Sequence, residues 1–205
     1  MHPRVRLVLI AFFACAFAGI SGVWLATLTR SDSEAAVRTT GSPTGFEGAI
    51  RPPGTTVPDF RLTDQDGEPV VPGAGDGKPA VYAFIYSHCE DTCPLEVQQI
   101  RGAMDDIGAD VPVYGISVDP PNDTRGSTRA FLLEQHMTGR MTFAMGSRAQ
   151  LRPVWKAFGI QPQSKEDEHS ASVVLVDGQG RQRVGYSPTT LSTKALAADL
   201  KKLGA

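Results

Sequence analysis

Ala80-Val81-Tyr82-Ala83-Phe84-Ile85-Tyr86-Ser87-His88-Cys89-Glu90-Asp91-Thr92-Cys93-Pro94 is the stretch on which the reading of the fold turns. Ala80 to Tyr86 is a nearly continuous apolar and aromatic run, as expected of a central strand buried on both faces. Pro94 suits the first turn of a helix, where its missing N–H is no loss. Leu95, Ile100, Met104 and Ile107 then give that helix an apolar face. Two cysteines therefore lie just past the carboxyl end of a central strand, at the entrance to a helix. Open α/β sheets tend to place ligand sites at that end.

Outward from this stretch, strands and helices alternate. Phe60-Arg61-Leu62-Thr63 leads into the turn Asp66-Gly67. Val111 to Val118 reads as a second buried strand, and Asp123 or Thr124 caps a helix running to about His136. Met141 to Met145 is a short strand, and Ser147 opens a helix carrying Leu151, Trp155 and Phe158. Ala171 to Val176 and Arg183 to Tyr186 flank Asp177-Gly178-Gln179-Gly180, a hairpin signature. Ser192 caps a final helix through Leu203. Strands alternating with helices, then a hairpin and a terminal helix, describe an α/β sandwich of thioredoxin type.

The N-terminus has a different character. Arg4 and Arg6 precede an uncharged stretch from Leu7 to Leu28, and Arg30 follows. Roughly 22 residues at about 1.5 Å each reach about 33 Å, against a bilayer core of about 30 Å. The run is longer than the apolar region of a cleavable signal peptide. Trp24 stands near its outer end, where aromatic residues favour the interface. The expectation is a transmembrane helix within residues 1–30, N-terminus inside, with the remainder on the extracytoplasmic side of a bacterial cell membrane. Ser31 to about Thr56 is rich in Ser, Thr, Gly and Pro and reads as a flexible linker. Residues 57–205 form the expected domain, about the size of one ordinary domain.

The formal net charge is −2 and the soluble part has no basic block, which argues against a nucleic-acid partner. Of three cysteines, Cys15 lies in the apolar run and reads as a small membrane residue. Cys89 and Cys93 are the pair in the folded part, whereas a disulfide-stapled secreted domain would carry more cysteines spread along the chain. In a regular helix, residues four apart hold their Cβ atoms about 5–6 Å apart. A relaxed disulfide wants about 3.5–4.5 Å. A metal between two sulfurs tolerates the wider gap, and a loop at the helix start would shorten it. A helix N-terminus favours the thiolate that ligates metal or attacks a disulfide. Glu90 and Asp91 oppose that effect, so the balance stays open.

Two thiolates are soft ligands, selecting Cu(I), Zn or Fe–S. Closed zinc sites normally need four ligands and clusters usually four cysteines, whereas the folded part offers two cysteines, which argues against a cluster within one chain. Spacing alone does not separate metal from redox chemistry. Among the histidines, His2 stands ahead of the anchor, His136 ends an amphipathic helix, and His88 leaves a strand tip. His169 follows the polar run Gln163-Ser164-Lys165-Glu166-Asp167-Glu168 and precedes the strand at Ala171. It reads either as a solvated loop histidine or, in a thioredoxin fold, as a third ligand beside the cysteine helix. Met141 and Met145 share one face of a strand and read as core, and Asp119 and Asp123 as turn and cap residues.

Tyr86 to Pro94 resembles the cysteine motif of the Sco/SenC family. Ser117-Val118-Asp119-Pro120 with Asp123-Thr124 is similar to the strand-end motif that follows it, and His169-Ser170-Ala171-Ser172 with Leu175, Asp177 and Gly180 to the family's histidine segment. The motifs stand in the family's order and cover nearly all of the chain from Pro58 onward. Two departures stand beside the ligands: Glu90 where the family usually has proline, and Glu168 where it usually has aspartate. The resemblance implies a copper chaperone with Cys89, Cys93 and His169 binding Cu(I) or Cu(II). It further implies cytochrome c oxidase subunit two, with its dinuclear copper centre, as recipient, and other extracytoplasmic copper carriers as possible partners.

The leading alternative is an extracytoplasmic thiol–disulfide reductase, with Cys89 attacking and Cys93 resolving. Against it stand three intervening residues instead of the usual two, and His169-Ser170 where a proline would precede the partner strand. A thiol peroxidase would carry proline shortly before its cysteine, and Phe84 to Cys89 has none.

Overall fold

The computed structural model describes residues 45–71, 77–163 and 172–205. In chain order they form β1 (Ala49–Ile50), β2 (Leu62–Thr63), β3 (Pro69–Val70), β4 (Ala80–Ile85), α1 (Thr92–Ile107), β5 (Val113–Ser117), α2 (Arg125–Glu134), β6 (Thr142–Ala144), α3 (Arg148–Phe158), β7 (Ser172–Val176), β8 (Gln182–Tyr186) and α4 (Thr193–Lys202). Six strands make one sheet in the order β1-β8-β7-β4-β5-β6, and β2 and β3 form a separate hairpin. β4, β5 and β6 run parallel, while β7 pairs antiparallel with both β4 and β8. The result is a mixed α/β sandwich of thioredoxin type.

The alternation of side chains along β4 builds two cores. Val81, Ala83 and Ile85 face one side, with Cys93, Val97 and Ile100 of α1, Phe131 of α2, and Leu196 and Leu200 of α4. Ala80, Tyr82 and Phe84 face the other, with Leu151, Trp155 and Phe158 of α3 and Leu62 and Val70 of the hairpin. Because all six residues of β4 are buried, the sequence there is an unbroken apolar run, not an alternating one. Met141 and Met145 lie in the first core, as their shared face predicts.

Caps appear where serine and threonine foretell them. Thr124 and Ser147 each accept the N–H three residues on and donate their own backbone N–H to that residue's side chain, and Ser192 accepts from the Ala195 N–H. The expected face of α1 is corrected at its start: Leu95 is exposed, and the buried stripe is Cys93, Glu96, Val97, Ile100, Ala103 and Met104. Leu95 lies roughly 200° around the helix from Cys93, so the two cannot share a face.

The boundary of the domain is also corrected. Residues 45–56, expected within the linker, pack on the folded unit. Ala49 and Ile50 pair with Gly185 and Val184, and Thr56 bridges Arg181. Buried Asp199 of α4 accepts the backbone N–H groups of Glu47 and Gly48 at 2.9 and 3.1 Å and the Tyr186 hydroxyl at 2.6 Å. Lys202 bonds to the Gly45 carbonyl and stacks over Phe46, with Arg183 also placed against that ring. The expected anchor, residues 1–30, and the first part of the linker lie outside the described residues. Among the described residues, no helix is long and apolar enough to cross a membrane.

Asp199→Ala leaves two N–H groups without their acceptor and the buried Tyr186 hydroxyl with the longer bond to the Ala195 carbonyl, at 3.1 Å. It is expected to lower unfolding free energy by about 2 kcal/mol or more, read from urea denaturation.

Candidate metal centre

The parallel strands β4 and β5 end together, with Ile85 opposite Ser117 and the Val118 N–H bonded to the Ile85 carbonyl at 3.1 Å. The loop leaving β4 is held there by Asp123. One carboxylate oxygen accepts Ser87 N–H at 2.8 Å and Ser87 Oγ at 2.7 Å, and the other accepts Ser117 Oγ at 2.5 Å. Asp123 is buried, and burial pushes its carboxyl above the usual range against the pull of these hydrogen bonds. The sequence reading of Asp123 as a turn or cap residue is therefore replaced: Thr124 caps α2, and Asp123 ties the two strand ends.

This loop delivers the cysteines. Cys89 is 9% exposed and Cys93 fully buried, and both are free thiols. Cys93 lies in the first turn of α1, whereas Cys89 precedes the helix, so the regular-helix spacing does not apply to the pair. The Asp91 side chain makes no capping bond. Instead the Cys93 backbone N–H donates to Cys89 Sγ at 3.2 Å. A sulfur thus satisfies one of the donors that every helix start leaves open.

The two thiols are unequal for that reason. The hydrogen bond from the Cys93 thiol pulls the Cys89 pKa down to about 6. Burial opposes the shift, and the Cys93 backbone, the Tyr86 hydroxyl and the Asp91 backbone reinforce it. These donors outweigh the neighbouring acids Glu90 and Asp91, which settles the balance left open by sequence. Cys93 moves far upward, through its bond with Cys89 and its burial. Half-buried Tyr86 is raised by burial and by its bond to Cys89. The pair therefore holds one thiolate and one thiol at neutral pH.

Two residues of this site escaped the sequence reading. The sequence reading places Tyr86 at the end of a strand and the start of the cysteine motif but gives its hydroxyl no role. Glu96 stands one turn beyond Cys93 on the buried stripe of α1, 2% exposed, and its carboxyl oxygens have no hydrogen-bond partner among the described residues. Burial, then the charge at Cys89, raise its pKa to about 8. An acid beside Val97 on an apolar stripe was its only signal in the sequence.

Cys89 and Cys93 are brought together as expected. His169 lies outside the described residues. His88 is exposed, its Nδ1 3.2 Å from Ser87 Oγ, and His136 is exposed past the end of α2 with φ 56°. Among the described residues, no three His, Cys, Asp or Glu side chains gather as a metal site. Two soft sulfurs fit a thiophilic ion such as Cu(I).

Alkylation of the metal-free protein is expected to modify Cys89 with a midpoint near pH 6 and to leave Cys93 largely unreacted, as peptide mapping across a pH series will read. Glu96 gives a second pH signature. Its folded pKa is raised, so its unpaired burial is harmless below about pH 4.5 and costs stability progressively up to about pH 8. The stability gained by Glu96→Gln over wild type is expected to grow across that window and level off above it, as measured by urea denaturation.

A family model described as SCO1/SenC matches residues 48–205. The copper-bound structure of ScoI from Bradyrhizobium japonicum is similar with a TM-score of 0.61 at 29% identity, covering 72% of this chain and 99% of that one. Copper-bound ScoI from Arabidopsis thaliana gives 0.64 at 26% identity, covering 72% and 97%. The mitochondrial SCO1 homolog 1 of Arabidopsis thaliana is 30% identical over 119 residues, which is 56% of this chain but 35% of that protein's length. With its cysteine pair at the mouth of a thioredoxin-type sheet and a family match over the whole of the described domain from Gly48 on, this chain belongs to the SCO1/SenC family.

Proposed function

We propose that the chain is a membrane-tethered copper chaperone that delivers copper to the dinuclear centre of cytochrome c oxidase subunit two, with Cys89, Cys93 and His169 as ligands. The observation that carries this reading is the sulfur pair at the start of α1, with the Cys93 backbone N–H donating to Cys89 Sγ. Two soft donors in a low-coordinate site favour Cu(I). The copper bound to the two ScoI relatives supports the same cargo.

The chain path supports His169 as third ligand. The Gln163 N–H bonds to the Val118 carbonyl at 2.9 Å, and Ser172 pairs with Phe84. Both flanks of residues 164–171 therefore meet the sheet at its cysteine end. Residue 169 is three residues from Ser172, at most about 11 Å of chain, a reach that suits an imidazole joining the sulfurs.

Loading displaces the Cys93 proton, because the thiolate is the ligating form. Unloading proceeds by ligand exchange, with partner thiolates replacing these donors one at a time. Cys89, 9% exposed where Cys93 is fully buried, is the first sulfur an incoming group meets. An anchor in residues 1–30 would hold the domain on the extracytoplasmic face of the membrane, where the oxidase subunit or another copper carrier is met.

The unequal thiols also favour a second reading, a thiol–disulfide reductase in which thiolate Cys89 attacks and Cys93 resolves. One series of variants separates the two. The full chain is expected to bind one copper, Cys89→Ala and Cys93→Ala to lose it, and His169→Ala to bind far more weakly while retaining thiol exchange. Copper stoichiometry and absorption spectra read the outcome, and unchanged binding in His169→Ala would sink the three-ligand assignment.

A further inference from the structure

β1 is the edge strand of the sheet, and an open groove of about 540 Å³ lies against it. Three arginines line the groove: Arg51 just past β1, Arg181 just before β8, and Arg183 within β8. Among the described residues, no aspartate or glutamate shares that lining. The carboxylate in contact with the arginines is that of buried Asp177, which accepts Arg181 Nε and Arg183 Nη1, each at 2.8 Å. Arg51 donates to neutral groups, the Phe158 carbonyl at 2.8 Å and Gln182 Oε1 at 2.9 Å. Three guanidiniums thus stand against one carboxylate. Apolar side chains stand beside them. Ile50 is 45% exposed, Pro52 is exposed, and the half-buried Phe46 ring lies 5.9 Å from the Arg183 guanidinium.

An excess of guanidinium beside exposed apolar surface is complementary to an anionic amphiphile. Guanidinium pairs with phosphate through two parallel N–H bonds. Interfacial binding grows with apolar contact and with attraction to anionic lipid. The groove also lies where the chain enters the domain, since Phe46 and Ile50 are among its first described residues. The apolar run ends at Leu28, and the 17 residues from there to Gly45 span at most about 60 Å. On the tether reading above, the groove stays within reach of lipid headgroups. We infer that the groove binds anionic phospholipid, its arginines taking headgroup phosphate while Ile50 and Pro52 rest against the interface. The inference rests on the membrane tether proposed above.

The test uses the full chain in lipid nanodiscs, either wholly phosphatidylcholine or partly phosphatidylglycerol. Phenylglyoxal modifies accessible guanidinium groups, and peptide mapping reads each arginine. Phosphatidylglycerol is expected to slow modification of Arg51, Arg181 and Arg183 by at least about threefold, the scale of one basic residue at an anionic surface. Exposed Arg152 of α3 is expected to be unchanged, and high salt to reverse the protection. In Arg181→Gln/Arg183→Gln the protection of Arg51 is expected to disappear, whereas Arg181→Lys/Arg183→Lys keeps it. Equal modification of the wild type in both discs overturns the inference. So does protection already present in phosphatidylcholine, the mark of an occupant from the chain itself or from a second copy. Protection matched by inorganic phosphate overturns it as well, as does equal slowing at Arg152. A chain that does not co-purify with the discs sinks the tether reading, and this inference with it. A chain that stays in the discs without protection sinks the inference alone.

Discussion

The start of α1 has backbone N–H groups that need acceptors, and the Asp91 carboxylate does not fill that need. Cys89 Sγ does. The other properties of the site follow from this bond. A sulfur that accepts N–H groups is stabilised as a thiolate, and a thiolate beside Cys93 keeps the second proton in place. Asp123 makes the geometry repeatable. By holding Ser87 and Ser117 together it fixes where the loop leaves β4, and with it where Cys89 meets the helix.

The fold was legible where local chemistry and tertiary environment agree. The unbroken apolar run of β4, the hairpin turn at Asp177 to Gly180, and Thr124, Ser147 and Ser192 as caps each state their structure within a few residues. Legibility failed where the partner is distant. Residues 45–56 look like a linker because their composition is small and polar. They are held by Asp199, which is 151 to 152 residues away and makes bonds to backbone, which no composition announces. Leu95 failed for a different reason: apolar character was read as burial, while the helical angle places it outward and Glu96 inward.

The site divides in the same way. The cysteine pair and its position at a strand–helix junction were plain, because spacing and flanking Pro94 are local. Tyr86 and Glu96 were not, because a phenol at the end of a strand and an acid in a helix are unremarkable until the sheet and the helix pack against each other. The direction of the Cys89 shift was equally hidden. Glu90 and Asp91 are exposed and count for little, whereas the donors facing the sulfur are close and partly shielded from water.

Read as copper ligands, the unequal thiols also order the exchange. Cys89 is a thiolate with or without metal, so letting go of the ion leaves it in a form the protein already stabilises. Cys93 is different: buried and directed at Cys89, it must recover a proton when the ion leaves. On that reading, a partner that first replaces Cys89 would meet the smaller barrier, and Cys89 is the less deeply buried of the two sulfurs. On the same reading the asymmetry would oppose premature loss, since Cys93 released from the ion would stand as a buried thiolate until a proton returned. A closed, symmetric pair would bind as well and release less readily. What would suit the pair to the proposed transfer is that the start of a helix stabilises one thiolate and leaves the other in need of its proton.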